Sequence, residues 1–159
     1  MCLVPSQRLG RRGNLNVIAV ALIVTVVDAV TKAWARHALA QHAAHVVGGA
    51  WLRLQFNAGI SFSVNRSGPL LTTVITLVIS LGVLAVGLRA RPGAATSGFG
   101  LLIGGGLANV IDRLAASPHR VTDFIAVGSL PVFNLADAAI TAGFVLLLIA
   151  VLRGERLLA

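Results

Sequence analysis

Apolar and polar positions fall in long blocks along this chain. Apolar runs occupy residues 15–38, 69–88, 96–114 and 134–152. Each is close to the roughly 20 residues that a helix rising about 1.5 Å per residue needs to cross a bilayer. The stretch from Pro69 to Leu88 holds no charge at all. Residues 41–68 and 115–133 are more polar, and a short basic turn with Arg89, Arg91, Pro92 and Gly93 separates the second run from the third. Within the first polar stretch the period changes. Leu52, Leu54 and Phe56 alternate with Arg53, Gln55 and Asn57, the repeat of a half-buried strand. Gly48-Gly49 before it and Asn57-Ala58-Gly59 after it supply turn chemistry. Arg120 to Ile125 reads as a second extended segment, with Gly128 and Pro131 at the turn beyond it. The pattern predicts an all-α polytopic membrane protein: a four-transmembrane-helix bundle with a small extracytoplasmic β-sheet, in a single integral membrane domain over residues 1–159. Outer loops are expected at 41–68 and 115–133, with Trp51 at the membrane interface.

Composition supports this reading. Of 159 residues, 57% are hydrophobic and 11% charged, against about 25% charged in soluble domains. Mean hydropathy is +0.89. The net charge of +8 suggests no nucleic acid, because the basic residues are scattered and no nucleic-acid motif lies beside them. Attraction to anionic membrane lipid and topogenic charge account for them. The single cysteine, Cys2, excludes an internal disulfide. It also lacks an upstream apolar region, so the chain is not expected to be a lipoprotein itself. A basic start, an apolar run and Ala38-Leu39-Ala40 have the outline of a cleavable signal peptide. Asp28, Lys32 and Arg36 interrupt that outline, and the run is long enough to span. Residues 1–14 then read as a short cytoplasmic tail. With four spans, Arg8, Arg11, Arg12, Arg89, Arg91, Arg153 and Arg156 share one face with a single acid, Glu155. The positive-inside rule makes that face, and both termini, cytoplasmic. The loop carrying Asn57, the end of span three and the start of span four then lie outside.

The chain has five acidic residues, and three of them, Asp112, Asp123 and Asp137, lie between Gly104 and Ile140. A carboxylate at membrane depth costs roughly 2.5–3.5 kcal/mol on insertion scales and is a functional candidate by default. Asp28 and Lys32 are four apart on one helical face and neutralise each other in an ion pair that packs span one. Asn109, Asp112 and Arg113 share a face of span three, and Asn134 and Asp137 a face of span four. Plainer readings exist for each. Asn134 caps span four with Asp137 in its first turn; Arg113 snorkels at a helix end, with Asp112 paired to it. They explain less well why so many polar residues gather at one depth.

Two neighbouring carboxylates share one proton, so one takes a proton from water while the other polarises a carbonyl. That is the chemistry of metal-free peptide hydrolysis. Spacing does not decide which two pair. Asp112, beside Arg113, reads as charged and salt-bridged; Asp123 lies in a loop able to fold back over the mouth of span four, so Asp123 with Asp137 is preferred. No cofactor is expected and no metal: His42 and His45 read as solvated loop residues. HExxH and GxSxG are absent. Gly104-Gly105-Gly106 is read as a close helix contact, not a nucleotide loop, since no strand precedes it and no GK[ST] follows. A small membrane transporter or proton-relay protein is the alternative, but the cytoplasmic halves of spans two to four carry no charge. A purely structural membrane protein would use the acids only as caps. Membrane proteases of the presenilin or prepilin-peptidase kind carry GxGD, which is missing.

Four blocks, in order, resemble those of the lipoprotein signal peptidases (signal peptidase II) over almost the whole chain. They are Asp28-Ala29-Val30-Thr31-Lys32, then Asn57-Ala58-Gly59-Ile60-Ser61-Phe62-Ser63. Gly105 to Arg113 (GGLANVIDR) follows, then Val121-Thr122-Asp123-Phe124 with Phe133-Asn134-Leu135-Ala136-Asp137. The resemblance implies an aspartic endopeptidase of the bacterial inner membrane, expected to act as a monomer. Its substrate would be a lipid-modified prolipoprotein, cut just before the diacylglyceryl-cysteine. The catalytic pair would be Asp123 and Asp137. Asn57, Asn109, Arg113 and Asn134 match positions that hold the substrate backbone. Asp28, Lys32 and Asp112 match supporting polar positions, and Gly105 is counted with them. Ala108, Ser61 and Thr122 depart from the family's usual Gly, Ala and Val. None removes a group the chemistry needs. The short loop between Asp123 and Asp137 puts lid length and substrate preference in doubt.

Overall fold

The third apolar run becomes α3 (Ala94–Ala115), and the other three helices gather round it. They are α1 (Pro5–Ala38), α2 (Gly68–Gly87) and α4 (Leu135–Leu152). A computed structural model describes residues 5–58, 68–115 and 119–158. Among them four helices are long and apolar enough to cross a membrane. The span of α3 is 67% buried, whereas those of α1, α2 and α4 are only 22%, 17% and 17% buried. The three outer helices turn Leu22, Ile23, Val30, Ile79 and Phe144 outward, a surface suited to lipid. Because most of α3 faces protein, it tolerates polar and small residues that lipid-facing helices exclude. The N-terminal stretch read as a tail is helical from Pro5 onward.

Successive residues on α3 point some 100° apart, and three consecutive glycines each meet a different helix. A Cβ on Gly104 would lie 2.7 Å from Ala21 O of α1, and one on Gly105 would lie 2.5 Å from Ala136 O of α4. One on Gly106 would collide with Ser80 Oγ of α2. The first approach lets the Thr25 hydroxyl donate to Gly104 O at 3.2 Å. Gly105→Ala should therefore destabilise the protein by about 1–3 kcal/mol through overpacking. Gly82→Ala, where a Cβ meets nothing within 4 Å, should be neutral or stabilising by up to about 1 kcal/mol on helix propensity. Thermal unfolding of the two purified variants checks the contrast.

The sheet is antiparallel in the order β1 (Ala44–His45), β2 (Ala50–Asn57), β3 (Val121–Val127). The two extended segments read from the sequence are β2 and β3; the two-residue β1 is an addition. Leu52 pairs with Ile125 but Gln55 with Asp123, so β2 spends three steps where β3 spends two. That is a bulge, and it shifts the phase of every later side chain. Phe56, expected to face inward with Leu52 and Leu54, is 49% exposed. Asn57, expected on the polar face, is half-buried and turned toward β3.

After β3 the chain turns at Gly128, which has φ +52, and doubles back. Phe133 O accepts from Phe124 N at 3.0 Å and Ile125 N at 2.8 Å, and Phe133 N donates to Ile125 O at 3.0 Å. Asn134 is thereby delivered to the side of Asp123. At the opposite end of the bundle, Gly13 packs on Ala90 O. Ala90 bridges to Leu158, and Arg91 N donates to Leu157 O at 2.9 Å. Both ends of the described chain and the α2–α3 turn thus share one pole, and the sheet occupies the other.

Candidate active site

Asp123 comes from β3 and Asp137 from the first turn of α4, and two asparagine amides tie them together. Asn134 is the N-cap of α4, its Oδ1 accepting from Asp137 N at 2.9 Å. Asp137 Oδ2 accepts in return from Asn134 N at 3.3 Å, completing a capping box. Because Asn134 Oδ1 already faces an N–H, its Nδ2 must face the other way. There it donates to Asp123 Oδ1 at 2.6 Å and to Asn109 Oδ1 at 3.3 Å. Asn109 Nδ2 donates to Asp137 Oδ1 at 2.9 Å. The cap expected from sequence is present, and the same side chain also binds the second acid.

The orientation of Asn109 is fixed from below by Lys32. The ammonium can only donate, so Asn109 turns its oxygen toward Nζ, at 2.8 Å, and its amide nitrogen toward Asp137. Lys32 also pairs with Asp28 Oδ2 at 2.7 Å and lies 3.6 Å from Asp112 Oδ2. The ion pair expected on α1 is present, and its cation reaches further than that pair. Asp28 Oδ1 accepts from Ala136 N at 2.8 Å, so α1 also holds the first turn of α4.

Asp112 is salt-bridged, but not to its neighbour Arg113. Its partners are Arg36, at 3.0 Å, and Lys32, because the α3 face that carries Asp112 abuts the end of α1. Arg36 was not among the site candidates. The available signal was its spacing: residues 28, 32 and 36 recur every four and share one face of α1. Arg113 is buried instead, donating from Nη1 to Asn109 O at a long 3.4 Å. Its Nε finds no partner among the described residues. Gly105 acts where α3 touches Ala136 beneath Asp137. Asn57 donates from Nδ2 to Asp123 Oδ2 at 3.1 Å; residues 59–63 of the same block lie outside the described part.

Asp123 is 1% exposed. Burial first, and the nearby Asp137 charge second, push its carboxyl up to about 6, against the stabilising bonds from Asn57 and Asn134. Asp137 opens onto a groove of about 700 Å³. Leu130, Val132, Phe133, Ala142 and Val145 supply apolar walls, and Asn57 stands at its edge. Among the described residues no three His, Cys, Asp or Glu gather as metal ligands. His45 instead stacks edge-on against Trp51, with centroids 4.7 Å apart.

Fold and site together define a polytopic membrane enzyme with a buried acid–amide layer under a small sheet. A solved bacterial membrane enzyme, determined by the in meso method at 2.3 Å resolution, has the same fold. It superposes with a TM-score of 0.76 and 26% identity, covering 86% of this chain and 87% of that one. The family model described as signal peptidase (SPase) II matches residues 20–153, and the chain belongs to that family of membrane peptidases. The lipoprotein signal peptidase of Streptomyces coelicolor is 35% identical over 94% of this chain and 76% of its own length. That of Syntrophomonas wolfei is 36% identical over 82% of this chain and 89% of its own.

Proposed function

We propose that the protein removes the signal peptide of lipid-modified bacterial prolipoproteins, as an aspartic endopeptidase. The observation that carries this is the shared amide bracket: Asn134 and Asn109 tie the buried Asp123 to Asp137, and Asp137 lines an apolar groove. The groove suits a substrate anchored by acyl chains, and its polar end holds Asn57 and Asp137 alone with Thr141.

In this reading Asp137, in the first turn of α4 where a helix favours an anion, is the base. It takes a proton from a water that attacks the carbonyl preceding the lipidated cysteine. Asp123, carrying the pair's proton, hydrogen-bonds that carbonyl and stabilises the oxyanion. The tetrahedral intermediate collapses as the proton on Asp137 passes to the departing cysteine nitrogen. For the carbonyl to reach Asp123 Oδ2, Asn57 must yield the bond it makes there. The Nε of Arg113, which has no partner among the described residues, is a donor suited to a substrate backbone carbonyl. The dyad needs no cofactor.

The site is proposed to face the outer side of the inner membrane. Arg89, Arg91, Arg153 and Arg156 lie at the pole opposite the sheet, which makes that pole cytoplasmic on the positive-inside rule. A monomer in contact with membrane lipid suffices, since both acids come from one chain.

The purified protein should cleave a diacylglyceryl-modified precursor before its modified cysteine and leave the unmodified precursor intact. Asp123 must be protonated, so kcat/KM should fall as pH rises through about 6, by about tenfold per unit beyond it. Equal cleavage of both precursors, or a rate that climbs from pH 6 to 8, would contradict the proposal.

A further inference from the structure

Thr122, the residue before Asp123, is fully buried and gripped twice. Asp112 Oδ2 accepts from its backbone N at 2.6 Å. Arg36 Nη1 donates to its hydroxyl at 2.9 Å and to Asp112 Oδ1 at 3.0 Å. One guanidinium nitrogen from the last turns of α1 thus closes a ring with α3 and β3. The ring lies where β3 most needs it. β3 is the edge of the sheet, and the return strand bonds it at Phe124 and Ile125, beyond Asp123. At Thr122 the outer edge is held by Asp112 instead. In a strand adjacent side chains point to opposite faces, so fixing Thr122 on one face fixes the direction in which Asp123 leaves the other. A valine at this position would offer Arg36 no acceptor.

We infer that Arg36 is a positioning residue for the peptidase reaction, acting with Asp112 through the Thr122 hydroxyl and backbone to set the direction of the Asp123 side chain. The inference rests on the proposed catalytic role of Asp123. Arg36 touches neither acid of the dyad and is 41% exposed, so its removal leaves no buried unpaired charge. Asp112 keeps Thr122 N and the nearby Lys32.

Cleavage of a diacylglyceryl-modified precursor by the full-length protein in lipid nanodiscs tests it, with kinetics normalised to folded enzyme. Arg36→Gln should lower kcat about tenfold with KM within about twofold, and Arg36→Lys should restore most of that loss. In a Thr122→Val background the same Arg36→Gln change should cost only about threefold, because half its purchase on β3 is already gone. Arg36→Gln at parental kcat, a loss confined to folded yield, or equal losses in the two backgrounds would each overturn the inference. Asp123→Asn run alongside separates the two claims. Inactive Asp123→Asn with fully active Arg36→Gln sinks only the positioning role; active Asp123→Asn sinks both. Should Arg36→Gln fail to fold, Thr122→Val alone carries the test: removing the hydroxyl that Arg36 holds should lower kcat about threefold with KM within about twofold, and parental kcat overturns the inference.

Discussion

Asp123→Asn and Asp137→Asn should each cut the rate of precursor cleavage by about 10²–10⁴. Neither amide can exchange a proton with water or with the scissile carbonyl, and in the proposed mechanism each acid has a task the other cannot take over. The variants should nonetheless insert and fold. For Asp123 the sign can be worked out. Its folded pKa of about 6 lies above the unfolded 3.8, so its favourable contribution is fully present below pH 3.8 and is lost as pH rises through 6. At neutral pH the ionised carboxylate opposes folding, and an uncharged amide removes that opposition. The new amide also turns its NH2 toward one of the two amide donors, Asn134 Nδ2 or Asn57 Nδ2, so the two effects offset, and Asp123→Asn is expected to stay within about 1–2 kcal/mol of the parent in stability while losing activity. For Asp137→Asn the capping side chain of Asn134 remains, and the amide oxygen can accept from Asn134 N or from Asn109 Nδ2 but not from both, so a loss of about 1–2 kcal/mol is expected. Near-parental cleavage by either variant would refute the dyad; loss of activity together with loss of the folded band would point to a structural role.

Lys32→Ala should have the second-largest effect, on stability. Its ammonium is 1% exposed and serves Asp28, Asn109 and Asp112 at once. Removing one partner of a buried pair strands the other charge, a cost of about 3–5 kcal/mol. Much of a domain's net stability of about 5–15 kcal/mol would go with it. Folded yield in the membrane and the melting temperature should drop sharply. The rate per folded molecule should drop less, since Asn109 loses only the partner that orients it. A defect in rate with unchanged yield and melting temperature would overturn this account. Asp28→Asn combined with Lys32→Met should recover part of the loss, because no ion is then buried alone on α1. Full recovery is not expected, as Asn109 still lacks its donor.

The spans, the two extended segments and the cap of α4 were legible because each rests on local spacing. A helix-length apolar run, a two-residue alternation and an Asn three residues before an Asp all act over a few neighbours. The partners of Asp112 were not legible. Arg36 lies 76 residues away, and only the packing of α1 on α3 tells it apart from Arg113 next door. The facing of Asn57 was misread for a related reason. Its phase depends on a bulge that exists only in the pairing of β2 with β3, so strict alternation carried the count one residue too far. Two short elements join Asp123 to Asp137, the left-handed turn at Gly128 and the return pairing of Phe133. Glycine and proline marked the turn, but nothing local marked the pairing.

One amide, that of Asn134, both starts the last helix and grips the acid on β3. Fraying of that first helical turn would therefore also release Asp123 from the amide that ties it to Asp137. Melting of the helix end with the two acids still in register is a state this wiring disfavours.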